Sequence, residues 1–313
     1  MAFNLSRLED SWCIFLADSN VTDSISGYYT VTLTVCVVTS LLAPITVIGN
    51  AFILAAIWKN PSLRTPSYVL LAGLSFTDFC SGLLTQPFYV VYKLAELAGW
   101  RKLICIAGLI AQIAGYYFSS LTVIALTITA VERWLHMSRR SLLTVRRVVM
   151  LYVTFVLFLI VFFASLMYYW YHSTEFLKLF ITVFVFGAAL CFFITVFAYF
   201  KVFRIIRHHQ SQIQTNQNAI DIGKYKKSVS TILYILTLFL LSYVPHVCGL
   251  LAVNIMGYFG ITLSPRAAMP AFTAIVFSAS FFNPLLYYWR IKEIRDSVRR
   301  ILRNVCCKET EEE

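Results

Sequence analysis

Apolar residues in this chain run almost unbroken through stretches far longer than a globular element needs. Seven such stretches, about 29–57, 67–92, 103–131, 148–171, 179–200, 228–256 and 267–289, carry few or no charges. A helix needs about 20 apolar residues to cross a hydrocarbon core of about 30 Å, and each stretch meets that length. Hydrocarbon offers a backbone no hydrogen-bonding partner, so each stretch must satisfy its own amides as a helix. The pattern predicts an all-α fold, a seven-transmembrane helix bundle over residues 29–289, preceded by a tail over 1–28. Beyond it, Ile291, Ile294, Val298, Ile301 and Leu302 share one stripe while Lys292, Arg295, Arg299 and Arg303 fall elsewhere. That is a short amphipathic eighth helix over 290–305, expected to lie on the membrane surface, with a tail at 306–313.

Composition agrees: the 313 residues are 59% hydrophobic and 13% charged, more apolar surface than a soluble domain of this size can hide. The excess of basic residues is a matter of topology. Alternate connections hold 20 of the 26 Lys and Arg residues, against 6 on the opposite side, which predicts a cytoplasmic face for the first set and an extracellular N-terminus. The net charge of +11 then needs anionic lipid rather than nucleic acid as its partner. Residues 1–28 contain no continuous apolar core, so the first helix is expected to direct insertion by itself. Asn4-Leu5-Ser6 and Asn20-Val21-Thr22 match the glycosylation pattern on that outer tail. The eight cysteines show no metal-type spacing. Cys13 and Cys105 are both expected on the oxidising side, so a disulfide between them is allowed. Cys306 and Cys307 lie where palmitoylation would suit them.

Polar residues inside the stretches are the candidate functional groups. Asn50 in the first and Asp78 in the second must face the bundle interior, because a carboxylate in hydrocarbon costs about 2.5–3.5 kcal/mol. A structural polar cluster and an ion site are both open readings of Asp78. The third stretch would form a helix of about 43 Å and closes on Glu132-Arg133-Trp134. Glu132 and Arg133 are either a local pair that a partner can open or two anchors at a helix end; these residues alone leave both open. Pro87 should kink the second span and Pro245 the sixth. The connection at about 172–178 is too short for a hairpin lid, and Tyr199 begins a basic amphipathic extension of the fifth span. The polar run from His208 to Ile220 forms the next loop. Asn283 and Tyr287 stand one turn apart, with Pro284 between them.

Taken in order, Gly49-Asn50, Leu74 with Asp78, Glu132-Arg133-Trp134, Phe239-Leu240-Leu241-Ser242-Tyr243-Val244-Pro245 and Asn283-Pro284-Leu285-Leu286-Tyr287 resemble the signatures of a rhodopsin-like (class A) G-protein-coupled receptor. The resemblance covers roughly residues 40–305. It implies that the protein is no enzyme but a plasma-membrane receptor, passing extracellular ligand binding to a heterotrimeric G protein, with arrestin as a further partner, by outward movement of the sixth helix. Glu132, Arg133, Tyr199, Phe239, Tyr243, Pro245, Asn283, Pro284 and Tyr287 would form its coupling and activation switch. Asn50, Asp78, Thr122, Ser280 and Asn283 would form a water cluster that can take an allosteric sodium ion; no other cofactor is implied. Tyr89, Gly115, Tyr116, Ser119, Tyr243, His246, Val247, Thr273 and Phe277 would line the ligand pocket. Gly115 stands where amine receptors carry an acid and Phe277 where opsins carry their retinal lysine. The remaining wall is aromatic and apolar, favouring a lipid or other uncharged small molecule. Glu96, near the mouth, is expected to be a solvated loop acid.

The departures matter as well. Tyr243 replaces the family's Trp, and Ala279 stands where many sodium-binding relatives have Asn. Lys224-Tyr225-Lys226 occupies the base of the sixth span where many relatives place an acid, so appreciable basal signalling is expected. The short second outer loop lacks Cys, Cys105 comes a turn early, with Gly108 at the family position, and Cys191 replaces a Pro. These look like the melanocortin, lysophospholipid, cannabinoid and adenosine receptor cluster, although Phe88 and Gly108 stand where melanocortin-type acids would be expected. The alternative is a seven-helix transporter or channel, which would need paired intramembrane charges or broken-helix repeats.

Overall fold

The computed structural model describes residue 13 and residues 27–138, 144–170, 174–213, 234, 237–253, 255 and 265–308. Its elements are α1 (Tyr28–Lys59), α2 (Pro66–Ala98), α3 (Arg101–Met137), α4 (Val145–Trp170), α5 (Thr174–Ile213), α6 (Thr237–Val253), α7 (Pro265–Arg290) and α8 (Lys292–Lys308). Among the described residues six helices are long and apolar enough to cross a membrane, and α6 is a shorter apolar helix. Together they form a seven-transmembrane bundle. Helix α3 runs through its middle, packed against α2, α4 and α5, while α1 packs on α2, α7 and α8. Phe186 and Phe193 of α5 remain 73% and 68% exposed. Aromatic surface of that extent on a helix flank is what lipid contact requires, and water would penalise it.

Hydroxyls along the spans are largely satisfied within their own helix. Ser40 donates to the Cys36 carbonyl at 2.8 Å and Thr46 to the Leu42 carbonyl at 2.9 Å, so neither needs water or a second helix. Helix α2 changes gauge in its middle: Ser81–Thr85 forms a π turn, in which the Gln86 amide donates to the Ser81 carbonyl. Pro87 has no amide proton, and its ring would meet the carbonyl one turn back. The extra residue in the turn relieves that conflict, so the expected kink takes the form of a π bulge just before the proline. The bulge also brings α2 close to α1: a Cβ on Gly82 would lie 3.0 Å from Val47 Cγ2.

Several boundaries move. Helix α2 continues past 92 to Ala98 and carries Lys93 and Glu96 with it. It ends where Gly99 adopts φ +71° and the Trp100 amide donates to the Ala95 carbonyl at 2.9 Å; α3 starts at the next residue. Only two residues thus join the two spans. Helix α3 likewise passes beyond Trp134 to Met137. Helix α5 begins at Thr174, so most of the connection expected at 172–178 is helical, and it extends to Ile213 into the polar run; residues 214–220 of that run lie outside the described residues.

Helix α8 differs most in its use. Ile294 and Val298 are buried with Ile53, Ala56, Ile57, Leu63 and Tyr287, and Asn60 Nδ2 donates to Ser297 Oγ at 3.0 Å. Much of the stripe expected to face the membrane surface is therefore spent on α1 and α7, while Leu302 remains 40% exposed. An apolar stripe gains as much from protein as from lipid, and the turn at Pro61–Leu63 supplied the nearer surface.

Candidate functional site

Asp78 sits at the centre of the bundle, buried on α2. Ser280 Oγ donates to its Oδ1 at 2.6 Å and Asn283 Nδ2 to its Oδ2 at 2.7 Å. Asn50 joins the same cluster from α1: its Nδ2 donates to the Thr46 carbonyl at 2.9 Å and the Ser280 carbonyl at 3.1 Å, while its buried Oδ1 has no protein partner. Thr77 and Thr122 meet hydroxyl to hydroxyl at 3.1 Å, bringing in α3. The approach of α1 to α7 depends on Gly49, where a Cβ would lie 3.0 Å from Pro284 Cγ. All five residues of the expected water cluster thus share one polar core across four helices. A charge-assisted pair of hydrogen bonds from α7 is what makes a carboxylate tolerable at that depth.

At the α8 end of the bundle, Glu132 is buried and Arg133 partly open, their side chains 4% and 26% exposed. Arg133 Nε lies 3.5 Å from Glu132 Oε2, an ion pair without a formed hydrogen bond at that nitrogen. The carboxylate takes a second partner that no motif announced: Ser67 Oγ of α2 donates to it at 3.1 Å. Tyr199 packs with Ala130, Ala198 and Phe239, and Phe239 stacks on Tyr243 with centroids 4.4 Å apart. Tyr287 is fully buried among Ile53, Ala125 and Ile294, and its hydroxyl has no protein partner. Pro245 lies within α6 and Pro284 within α7. Lys224, Tyr225 and Lys226 lie outside the described residues.

The residues expected to line a ligand pocket divide. Gly115, Ser119, Tyr243 and Phe277 line one small cavity of about 20 Å³, together with Asp78, Ser81, Thr85, Phe118, Thr122, Val276 and Ser280. Tyr89 contacts Phe277 edge to face, centroids 5.3 Å apart, and reaches Thr273 through its hydroxyl. Tyr116 instead belongs to an apolar cluster with Leu121, Leu159 and Phe163 and meets Phe184 of α5. His246 Nδ1 is buried without a protein partner, and Val247 is half-buried beside it on α6.

The opposite end holds what the sequence reading missed. Glu96 is buried, and Lys93 Nζ donates to its Oε2 at 2.6 Å and to the Tyr28 hydroxyl at 2.9 Å. Tyr28 Oη in turn lies 3.1 Å from Glu96 Oε2. Lys93 also sits 4.5 Å from the centre of the Tyr92 ring. The spacing of three along a helix was the available signal; treating both charges as the end of a span obscured it. A disulfide joins Cys13 to Cys105, 5.7 Å apart at Cα, and buries Cys13 with Tyr89, Tyr92 and Phe277. Asn4 and Asn20 lie outside the described residues; Cys306 and Cys307 fall in the last turns of α8.

The sequence matches the family model of the 7 transmembrane receptor (rhodopsin family) over residues 49–287. It is 26% identical to the Probable G-protein coupled receptor 45 of Homo sapiens over 344 aligned positions, covering 96% of this chain and 91% of that one. It is 38% identical to Olfactory receptor 1078 of Rattus norvegicus over 91 residues, 29% of this chain and 26% of the relative, so the match spans about a quarter of that receptor's length. A match of 73 residues to the Histamine H2 receptor of Homo sapiens, 34% identical, covers 23% of this chain and 20% of the other. With the family signatures on one helical bundle and the family model spanning most of it, the chain belongs to the rhodopsin family of seven-transmembrane receptors.

Proposed function

We propose that the protein is a plasma-membrane receptor, N-terminus outside, that transmits binding of a lipid or other uncharged small molecule to a heterotrimeric G protein. The observation that carries this reading is the state of Arg133: a quarter exposed, 3.5 Å from its acid, with Nε free of hydrogen bonds to the protein. A guanidinium held that loosely beside a buried carboxylate is ready to take carbonyl acceptors from a partner. Outward movement of α6 would open the crevice, pivoting at Pro245 and breaking the contact of Phe239 with Tyr199, while Tyr287 gains the hydroxyl partner it lacks. Ligand binding drives this only through a difference in affinity between the two packings. Arrestin would read the same face.

The ligand would enter at the Cys13–Cys105 end and meet Tyr89, Thr273, His246 and Phe277, an apolar and aromatic wall. Asn4 and Asn20 would carry glycans, and Cys306 and Cys307 palmitate. An allosteric sodium ion fits the donor set, since Asp78 supplies the charge, Ser280 and Thr122 supply hard oxygens, and the buried Asn50 Oδ1 lacks a partner. Those residues would hold it and bias the bundle toward the resting packing. Catalytic chemistry has no place in this reading. A seven-helix transporter or channel is the second reading; among the described residues Asp78 is held by a hydroxyl and an amide rather than by a counter-charge, which favours the receptor.

The test is nucleotide exchange on a promiscuous G protein, driven by a lipid and peptide panel. Arg133→Ala should abolish exchange while surface expression stays at the wild-type level. Unchanged exchange in that variant, or solute flux through the wild-type protein in liposomes, would overturn the proposal.

A further inference from the structure

Helix α7 closes on Tyr287-Tyr288-Trp289-Arg290, an aromatic run ending in a base where the apolar span gives out. By itself that pattern is a helix end anchored at the membrane interface. In the structure it meets a second helix. The Arg290 guanidinium lies 5.0 Å from the centre of the Tyr234 ring and 5.2 Å from that of Trp289, and the two rings stand 6.2 Å apart. Tyr234 is helical and lies just ahead of Thr237, so the contact crosses from α7 to the base of α6.

Two other cations rest on rings of their own helix: Lys201 lies 5.2 Å from Phe197 and Arg204 5.5 Å from Phe200, each ring one turn back along α5. Those phenyl rings have no proton to give, and a long basic stem laid over apolar surface accounts for both contacts. The contact between α6 and α7 carries more chemistry. Tyr234 brings a hydroxyl and Trp289 an indole N–H, and among the described residues neither makes a hydrogen bond. The two residues are 47% and 62% exposed, on a flank of the bundle that lipid covers. Unpaired polar protons are costly in hydrocarbon, so these groups call for an acceptor from the membrane itself. The acids next along the chain are engaged elsewhere: Glu293 bonds the Tyr68 hydroxyl of α2, and Asp296 lies within electrostatic reach of Arg299.

The geometry points to a binding site for the phosphodiester of an anionic phospholipid, in the leaflet at the α8 end, between the base of α6 and the end of α7. Arg290 supplies the charge and a planar fork of donors, Tyr234 and Trp289 supply one proton each, and the two ring faces keep the guanidinium at the height of the headgroups. Phosphatidylcholine carries the same phosphate beside a trimethylammonium that Arg290 repels, so a lipid of net negative charge is preferred. The connections on this side hold 20 of the 26 Lys and Arg residues, which concentrates such lipids here. A bound lipid would also tie Tyr234 to α7 and weigh against outward movement of α6. That consequence rests on the receptor reading; the binding does not.

The experiment uses the full chain, labelled with 5-fluorotryptophan, in phosphatidylcholine nanodiscs in which rising fractions of phosphatidylserine are included. The Trp289 resonance, assigned through Trp289→Phe, should shift and saturate as phosphatidylserine rises, while phosphatidylcholine alone leaves it in place. Arg290→Gln should raise the half-saturating fraction about tenfold or more, the range expected for one hydrogen bond to a charged acceptor. Arg290→Lys keeps the charge without the planar fork and should fall between the two. Tyr234→Phe keeps the ring and should weaken the response several-fold with an unchanged thermal midpoint, because a hydroxyl without a protein partner adds nothing to the fold. Inorganic phosphate in the buffer should leave the resonance unmoved, since only a lipid delivers its phosphate to this flank. A resonance indifferent to phosphatidylserine, a response that survives Arg290→Gln, or an equal response to inorganic phosphate would each overturn the inference. Basal nucleotide exchange that ignores phosphatidylserine while the resonance responds would instead remove the hold on α6 and leave the lipid site standing.

Discussion

Replacing Glu96 with Leu should destabilise the receptor through Lys93, at the end of the bundle opposite Arg133. The ion pair is short, 2.6 Å, and its two side chains are only 12% and 3% exposed. Removing one partner of a buried pair costs about 3–5 kcal/mol, because the remaining charge is stranded in a medium that solvates it poorly. Lys93 retains the Tyr28 hydroxyl at 2.9 Å and the face of Tyr92, 4.5 Å away, and its slight exposure admits some screening. A cation over an aromatic ring recovers about 1 kcal/mol, so the net loss should be near 2–3 kcal/mol. For a chain this long that corresponds to a fall in thermal midpoint of about 5 °C or more. Heating the purified protein with a thiol-reactive dye reads it directly, since Cys36 is buried until the bundle opens. The double variant Lys93→Met with Glu96→Leu should recover most of the loss, because two apolar side chains of similar volume carry no stranded charge. An unchanged midpoint in Glu96→Leu, or a double variant no better than the single one, would refute the claim that buried charge governs this end of the bundle.

Ile294→Ala, at a fully buried position of α8, should cost about 2–5 kcal/mol of local packing and release the helix from α1, visible as faster amide exchange from Lys292 onward; exchange at the wild-type rate would contradict the buried role. Gly49→Val should separate α1 from α7 where a Cβ already stands 3.0 Å from Pro284 Cγ, costing about 1–3 kcal/mol by overpacking, so a thermal midpoint equal to wild type would show that Pro284 gives way. Tyr152→Phe removes the donor to the Gly73 carbonyl, 3.1 Å away, and should cost about 1 kcal/mol in the same assay.

Glu96 shows where a one-dimensional reading ends. Charges terminate an apolar run when each is judged alone, which stops the second span at 92 and leaves Glu96 in solvent. In the structure the two charges cancel within one turn of helix and are swallowed together. Glu132 is a second case: its pairing with Arg133 is legible from adjacency, whereas Ser67 stands in a different helix with no pattern of its own to link them. The stripe on α8 is a third. Its existence follows from spacing, but spacing cannot say whether lipid or α1 covers it.

Local chemistry determined a good deal without any fold. The length of the apolar runs requires membrane-spanning helices, because hydrocarbon leaves a backbone no other way to bond. The order of polar signatures within those runs marks the family, and Pro87 marks a break in α2. Tertiary structure alone decided which polar groups meet. It brought Asp78 to Ser280 and Asn283, sent Tyr116 toward α5 and away from its expected companions, and set Gly115, Ser119, Tyr243 and Phe277, expected around a ligand, beside Asp78. The physical reason is that an interior hydrogen bond is set by distances of about 3 Å between helices whose relative rotation and height no single segment encodes. A small residue such as Gly115 or Gly49 makes the point sharply: its effect is the space it leaves, and that space exists only once its neighbours have been placed around it.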